Sequence, residues 1–122
     1  MSHERLIVVI DDDESFCLAL VGLLRSLGYE AHGFVSAEAF LGSDAIGRCD
    51  CVISDIHLPG MSGIDLKALL ATRDRPMPVI MVTARKDPDL QARALKSGAV
   101  CLLTKPLQTT TLIECLNKAL DT

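Results

Sequence analysis

The chain has little basic charge to spare: 12 Lys and Arg stand against 16 Asp and Glu, a formal net charge of -4. A domain that grips nucleic acid needs a basic face, so no direct nucleic-acid contact is expected. An apolar run approaching the roughly 20 residues that cross a bilayer is also missing. The opening Met-Ser-His-Glu-Arg lacks a signal peptide's basic start and cleavage site. The expectation is a cytoplasmic protein with no membrane partner. Five cysteines (Cys17, Cys49, Cys51, Cys101 and Cys115) are an odd number, which excludes a complete disulfide framework. Cys49 and Cys51 are one residue apart, not at zinc-knuckle spacing, and no second Cys/His pair complements them. Unpaired Cys is among the most buried residue types, so reduced, structural thiols are expected. No linker, repeat or low-complexity stretch interrupts the 122 residues. They read as one domain, 1–122, with 49% hydrophobic and 23% charged residues.

What is present alternates between two periods. Leu6 to Ile10 is a continuous apolar run, mostly β-branched, that stops at acids: a buried strand. Phe16, Leu20, Leu23, Leu24 and Leu27 then share one face of a helix over 14–27, with Gly28 at its stop. Strands follow at Glu30 to Val35, Cys51 to Ser54, Val79 to Val82 and Val100 to Leu103. Between and after them lie helices starting at Ser36, at about Ile64, at Asp87-Pro88 and before Leu112. Leu66, Leu69 and Leu70, and Leu90, Ala94 and Leu95, are the apolar positions of the third and fourth helices. Continuously apolar strands are covered on both faces, so the fold class is α/β, a parallel sheet with helices on each side. In such sheets ligands bind beyond the carboxyl ends of the strands.

Those ends carry Asp11-Asp12-Asp13, Asp55, Thr83-Ala84 and Thr104-Lys105-Pro106. Any one could be an ordinary polar residue where a strand meets water; all of them together suggest a site. Clustered carboxylates repel each other unless a cation neutralises them. Oxygen-only ligands favour a hard ion such as Mg²⁺ (or Mn²⁺). A carboxylate beside such an ion can attack phosphorus, while a lysine and a hydroxyl match the phosphate charge.

These motifs, with Asp55 inside Ser54-Asp55-Ile56-His57-Leu58-Pro59-Gly60-Met61-Ser62-Gly63, resemble the receiver domains of two-component response regulators over essentially the whole chain. The stretch Gly33-Phe34-Val35-Ser36-Ala37-Glu38-Ala39-Phe40-Leu41 is similar to the nitrogen-fixation type of regulator, whose receiver precedes a helix-turn-helix output domain. The resemblance implies a flavodoxin-like (βα)5 fold with strand order 2-1-3-4-5. It implies Asp55 as phosphoacceptor from a sensor histidine kinase's phosphohistidine. Asp11, Asp12, Asp55 and the His57 backbone carbonyl would hold the metal. Thr83 and Lys105 would meet the phosphate, and the Lys105–Pro106 bond would be cis. Helix 4, strand 5 and helix 5 would form a homodimer face on phosphorylation. The output would be transcription, either through a domain beyond Thr122 or, in a single-domain regulator, through a separate partner. Asp13 stays outside the site, as an acid at a helix start.

Three positions depart from the pattern or qualify it. Leu102 stands where receivers carry a switch aromatic, so it is either a plain strand residue or a sign of altered coupling to Thr83. His57 and Arg85 lie two residues after Asp55 and Thr83; they either influence phosphate lifetime or are solvated loop residues. Two rivals remain. A haloacid-dehalogenase-type phosphatase would use Asp11 as nucleophile, but leaves Asp55 and its Pro-Gly loop without a role. A pseudo-receiver would keep the fold as a binding module and take no phosphate.

Overall fold

The computed structural model describes residues 5–73 and 76–120. Five strands, β1 (Leu6–Ile10), β2 (Glu30–Phe34), β3 (Cys51–Asp55), β4 (Val79–Thr83) and β5 (Cys101–Thr104), form one parallel sheet in the order β2-β1-β3-β4-β5. The helices are α1 (Glu14–Ser26), α2 (Ala37–Leu41), α3 (Gly63–Leu70), α4 (Pro88–Lys96) and α5 (Thr109–Leu120), with a 3-10 turn at Asp44–Gly47.

Alternation along each strand divides the core in two. Val8, Ile10, Val52, Val79 and Met81 pack with Phe40 of α2, Leu66 and Leu70 of α3 and Ala94 of α4. Ile7, Val9, Ile53, Ile80 and Val82 pack with Cys17, Leu20, Val21 and Leu24 of α1 and Leu112, Cys115 and Leu116 of α5. Every residue of β1, β3 and β4 is buried, as continuous apolar strands require. Each large side chain so buried contributes roughly 1.5–3 kcal/mol.

The caps are those that the local sequence dictates. Asp13, Ser36, Ser62 and Asp87 cap α1 to α4 with their side-chain oxygens, Ser62 pairs with Asp65 in a capping box, and Pro88 sits in the first turn of α4. Gly28 ends α1 in the left-handed conformation, φ 98°. The Lys105–Pro106 bond is cis, as the resemblance implied.

Some inward assignments fail. Leu27, Leu69 and Leu95 are 38%, 42% and 53% exposed, whereas Cys17 and Val21 are buried on α1. Strand β2 stops at Phe34 rather than Val35, and β5 runs one residue later than the apolar run predicts. None of the five cysteines is in a disulfide, and four of them are buried. Among the described residues no helix is long and apolar enough to cross a membrane.

Candidate functional site

Chain order reverses between β1 and β3: the chain leaves β1 for the β2 edge and returns to β1's other side as β3. A crevice forms at such a switch point, beyond the strands' carboxyl ends. Four strand ends deliver the expected side chains there. Asp11 follows β1, Asp55 ends β3, Thr83 ends β4 and Lys105 follows β5.

Asp11 and Asp55 are only 1% and 7% exposed, while Asp12 faces solvent. One carboxylate oxygen from each of Asp11, Asp12 and Asp55 lies within 4.8 Å of the others. The cluster has one cation inside it: Lys105 Nζ stands 2.8 Å from Asp11 Oδ2 and donates to Asp55 Oδ2 at 3.1 Å. Asp11 Oδ2 is buried, and the Lys105 ammonium is its close partner.

Backbone donors fix the other oxygens. Asp11 Oδ1 accepts the Asp13 N–H at 2.9 Å, and Asp55 Oδ1 accepts the His57 N–H at 2.8 Å. Burial raises the Asp11 carboxyl above its ordinary value, and Lys105 and the Asp13 amide offset that only in part. Burial also pulls at the Lys105 ammonium, but its two carboxylate partners outweigh it and hold it above its ordinary value. An ion pair alone would lower the acid; desolvation decides the direction at Asp11. The lysine is thus firmly charged, and the acids beside it remain under-neutralised.

A divalent ion fits that deficit. The donor set is all oxygen, and three carboxylates share the single Lys105 cation. Asp11, Asp12 and Asp55 are the residues able to hold it.

Thr83 is fully buried, and its hydroxyl accepts the Arg85 N–H at 3.0 Å. Arg85 itself is exposed. His57 is half-buried, with an imidazole Nε2 that is shielded from solvent and lacks a hydrogen-bond partner. Leu102 is half-buried on β5, packed towards the cluster under α2, α3 and α4. The structure therefore brings together Asp11, Asp12, Asp55 and Lys105, and leaves Arg85 and Leu102 at the rim.

Other contacts were not legible in advance. The Lys105 ammonium lies 4.2 Å from the centroid of the Phe16 ring, a cation–π contact that adds a wall to the site. Phe16 reads in sequence as one more apolar helix position. Gly63 is buried where an added Cβ would come within 2.6 Å of the Asp55 carbonyl oxygen, so α3 starts hard against the end of β3. The Pro-Gly-Met-Ser-Gly spacing was the available signal for that approach.

Comparison with known proteins follows the same line. A family model described as the response regulator receiver domain matches residues 7–117. The chain is 35% identical to the response regulator protein TmoT of Ectopseudomonas mendocina, over 97% of this chain and 54% of that protein. It is also 35% identical to the transcriptional regulatory protein FixJ of Bradyrhizobium diazoefficiens, over 98% of this chain and 58% of that one. The chain thus spans about half the length of the curated relatives it matches. The crystal structure of a putative response regulator from Chloroflexus aurantiacus superposes with a TM-score of 0.90 at 26% identity, covering 98% of this chain and all of that one.

Proposed function

Because the chain belongs to the response regulator receiver domain family of two-component systems, we propose that Asp55 is its phosphoacceptor. The observation that carries the reading is the buried Asp55 carboxylate, held between the His57 amide and Lys105 beside Asp11 and Asp12. The donor is a phosphohistidine of a sensor histidine kinase. A carboxylate oxygen of Asp55 attacks phosphorus, the P–N bond breaks, and the imidazole leaves with the bonding pair. The product is an acyl phosphate on Asp55.

The side chains have distinct tasks. Asp11, Asp12, Asp55 and the His57 carbonyl would hold Mg²⁺ or Mn²⁺. When bound, that ion supplies positive charge to the phosphoryl oxygens. Lys105 transfers its contact from the Asp55 carboxylate to a phosphoryl oxygen. The Thr83 hydroxyl gives up its Arg85 amide partner and donates to a phosphoryl oxygen, and that exchange carries the signal towards Leu102 and β5. His57 and Arg85 flank the route of the hydrolytic water. The domain spans residues 1–122, and cysteines outside any disulfide suit a cytoplasmic setting. Switching changes dimerisation through α4, β5 and α5, and the whole regulator controls transcription.

Incubation with acetyl phosphate and Mg²⁺, read by intact mass, tests the assignment. One added phosphoryl group is expected for the wild type and none for Asp55→Asn. No uptake by the wild type would favour a pseudo-receiver. A phosphoryl group retained by Asp55→Asn but lost in Asp11→Asn would favour the phosphatase chemistry.

A further inference from the structure

Two stretches that stand apart in sequence meet in space. Glu38 lies in the first turn of α2, and its Oε2 accepts the Met61 N–H at 2.9 Å, across 23 residues. The same carboxylate fills the space beside Gly60, where an added Cβ would lie 2.6 Å from Oε2. Gly60 has φ +77°, so this position favours glycine on both counts. The hydrogen bond from the Met61 amide, followed by that from Glu38's own amide, lowers the carboxyl below its ordinary value.

The clamped segment is the one that leaves Asp55. It is tied at its start by the His57 N–H to Asp55 Oδ1 at 2.8 Å, and pinned between by Leu58 in the core. The Glu38 contact ties its far end. The carbonyl of His57 lies between those two ties, and a backbone ligand has no rotamer of its own. Its direction is set by the backbone that the ties hold.

We propose that Glu38 is a positioning residue that sets the Ile56–Met61 backbone so that the His57 carbonyl faces the metal held by Asp11, Asp12 and Asp55. The proposal rests on the metal-dependent reading of the site given above. Outer partners of metal ligands are worth roughly 10- to 100-fold in affinity. Glu38 acts one step further out, through backbone, so an effect of about 3- to 10-fold is expected from its loss.

The test is a Mg²⁺ titration of the 122-residue chain, followed by amide chemical shifts, with hydrogen exchange of the Met61 amide measured without metal. Glu38→Ala is expected to raise the Mg²⁺ Kd about 3- to 10-fold and to speed Met61 exchange. Phosphoryl uptake at saturating Mg²⁺ is expected to recover, a split that general loss of structure would not give. Glu38→Gln keeps an acceptor oxygen and should remain within about twofold of wild type, since only the charge assistance is lost. Glu38→Asp keeps the charge and a good helix start but lacks the reach, so it should weaken binding as Ala does; it serves if Glu38→Ala fails to fold. An unchanged Kd in Glu38→Asp, with Met61 exchange faster, overturns the proposal. A wild type that binds no Mg²⁺ overturns instead the reading of the site on which it rests.

Discussion

The centre of the sheet and its β5 flank are built to different standards. At the centre, β1, β3 and β4 are buried at every residue, and the acids that end β1 and β3 have their oxygens held by backbone amides and Lys105. On the flank, β5 has one fully buried residue, Leu103, and α4 has one, Ala94. Leu95 is 53% exposed and Arg85, Lys86 and Asp87 all face solvent. The proposed capture site thus sits on the most deeply buried strands, while α4 and β5, the segments proposed to report it, bury far fewer of their residues. With so little buried, α4 is expected to open at a lower free energy than the strands that carry the carboxylates.

Core deletions should expose the contrast most strongly. Ile53→Ala, at the sheet centre, is expected to cost about 2–5 kcal/mol in urea unfolding. Leu95→Ala on α4 is expected within about 0.5 kcal/mol of wild type. Equal losses at the two sites would break the distinction. Native-state hydrogen exchange asks the same question without mutation. Amides of α4 should open at a free energy a few kcal/mol below that of β1 and β3, and a single opening energy throughout would show one cooperative unit.

A third expectation concerns the strain held in the rigid half. Burial raises the Asp11 carboxyl in the folded protein, so its contribution to stability is fully present below the unfolded value and is lost as pH rises through the folded one. Near neutral pH the buried carboxylate is therefore a net cost in the metal-free chain. Asp11→Asn should therefore stabilise that chain at pH 7, with the gain shrinking as pH falls towards the ordinary carboxylate range. The same variant should bind Mg²⁺ more weakly. Urea midpoints across pH, with and without metal, would show both effects; a variant less stable than wild type at pH 7 would mean that the Lys105 contact outweighs burial.

Much of this division was open to reading from the chain. Parallel strands bring their carboxyl ends to one edge whatever the loop lengths, so Asp11, Asp12, Asp55, Thr83 and Lys105 could be collected without knowing any distance. Helix faces were harder. On α1, Phe16-Leu20-Leu23-Leu24-Leu27 and Cys17-Leu20-Val21-Leu24 both satisfy a 3.6 period and share two leucines. The sheet selects the second set, leaving Leu27 at the rim. Leu69 and Leu95 mislead in the same way, because apolar character does not say which side of a short helix meets the sheet. The contacts of Phe16 with Lys105 and of Glu38 with Met61 join distant segments, and no local pattern encodes them.

The smallest expected effect bears on the flank most directly. Leu102 is half-buried on β5, facing the cluster beneath α4 and bordering a hollow lined by Lys86, Pro106 and Thr111. Leu102→Tyr adds volume where the wall is open to solvent, so the stability change should stay below about 1.5 kcal/mol. The proposed capture step uses the carboxylates of Asp11, Asp12 and Asp55 and the Lys105 ammonium, none of which Leu102→Tyr removes, so the rate of phosphoryl uptake from acetyl phosphate should be unchanged. The difference should appear in coupling: a tyrosine can swing between the hollow and solvent and offers a hydroxyl, whereas leucine can only repack. Sedimentation of the phosphorylated chain, wild type against Leu102→Tyr, would read it as a shift in dimer fraction at equal phosphorylation. An identical dimer fraction would show that β5 does not carry the signal through this side chain.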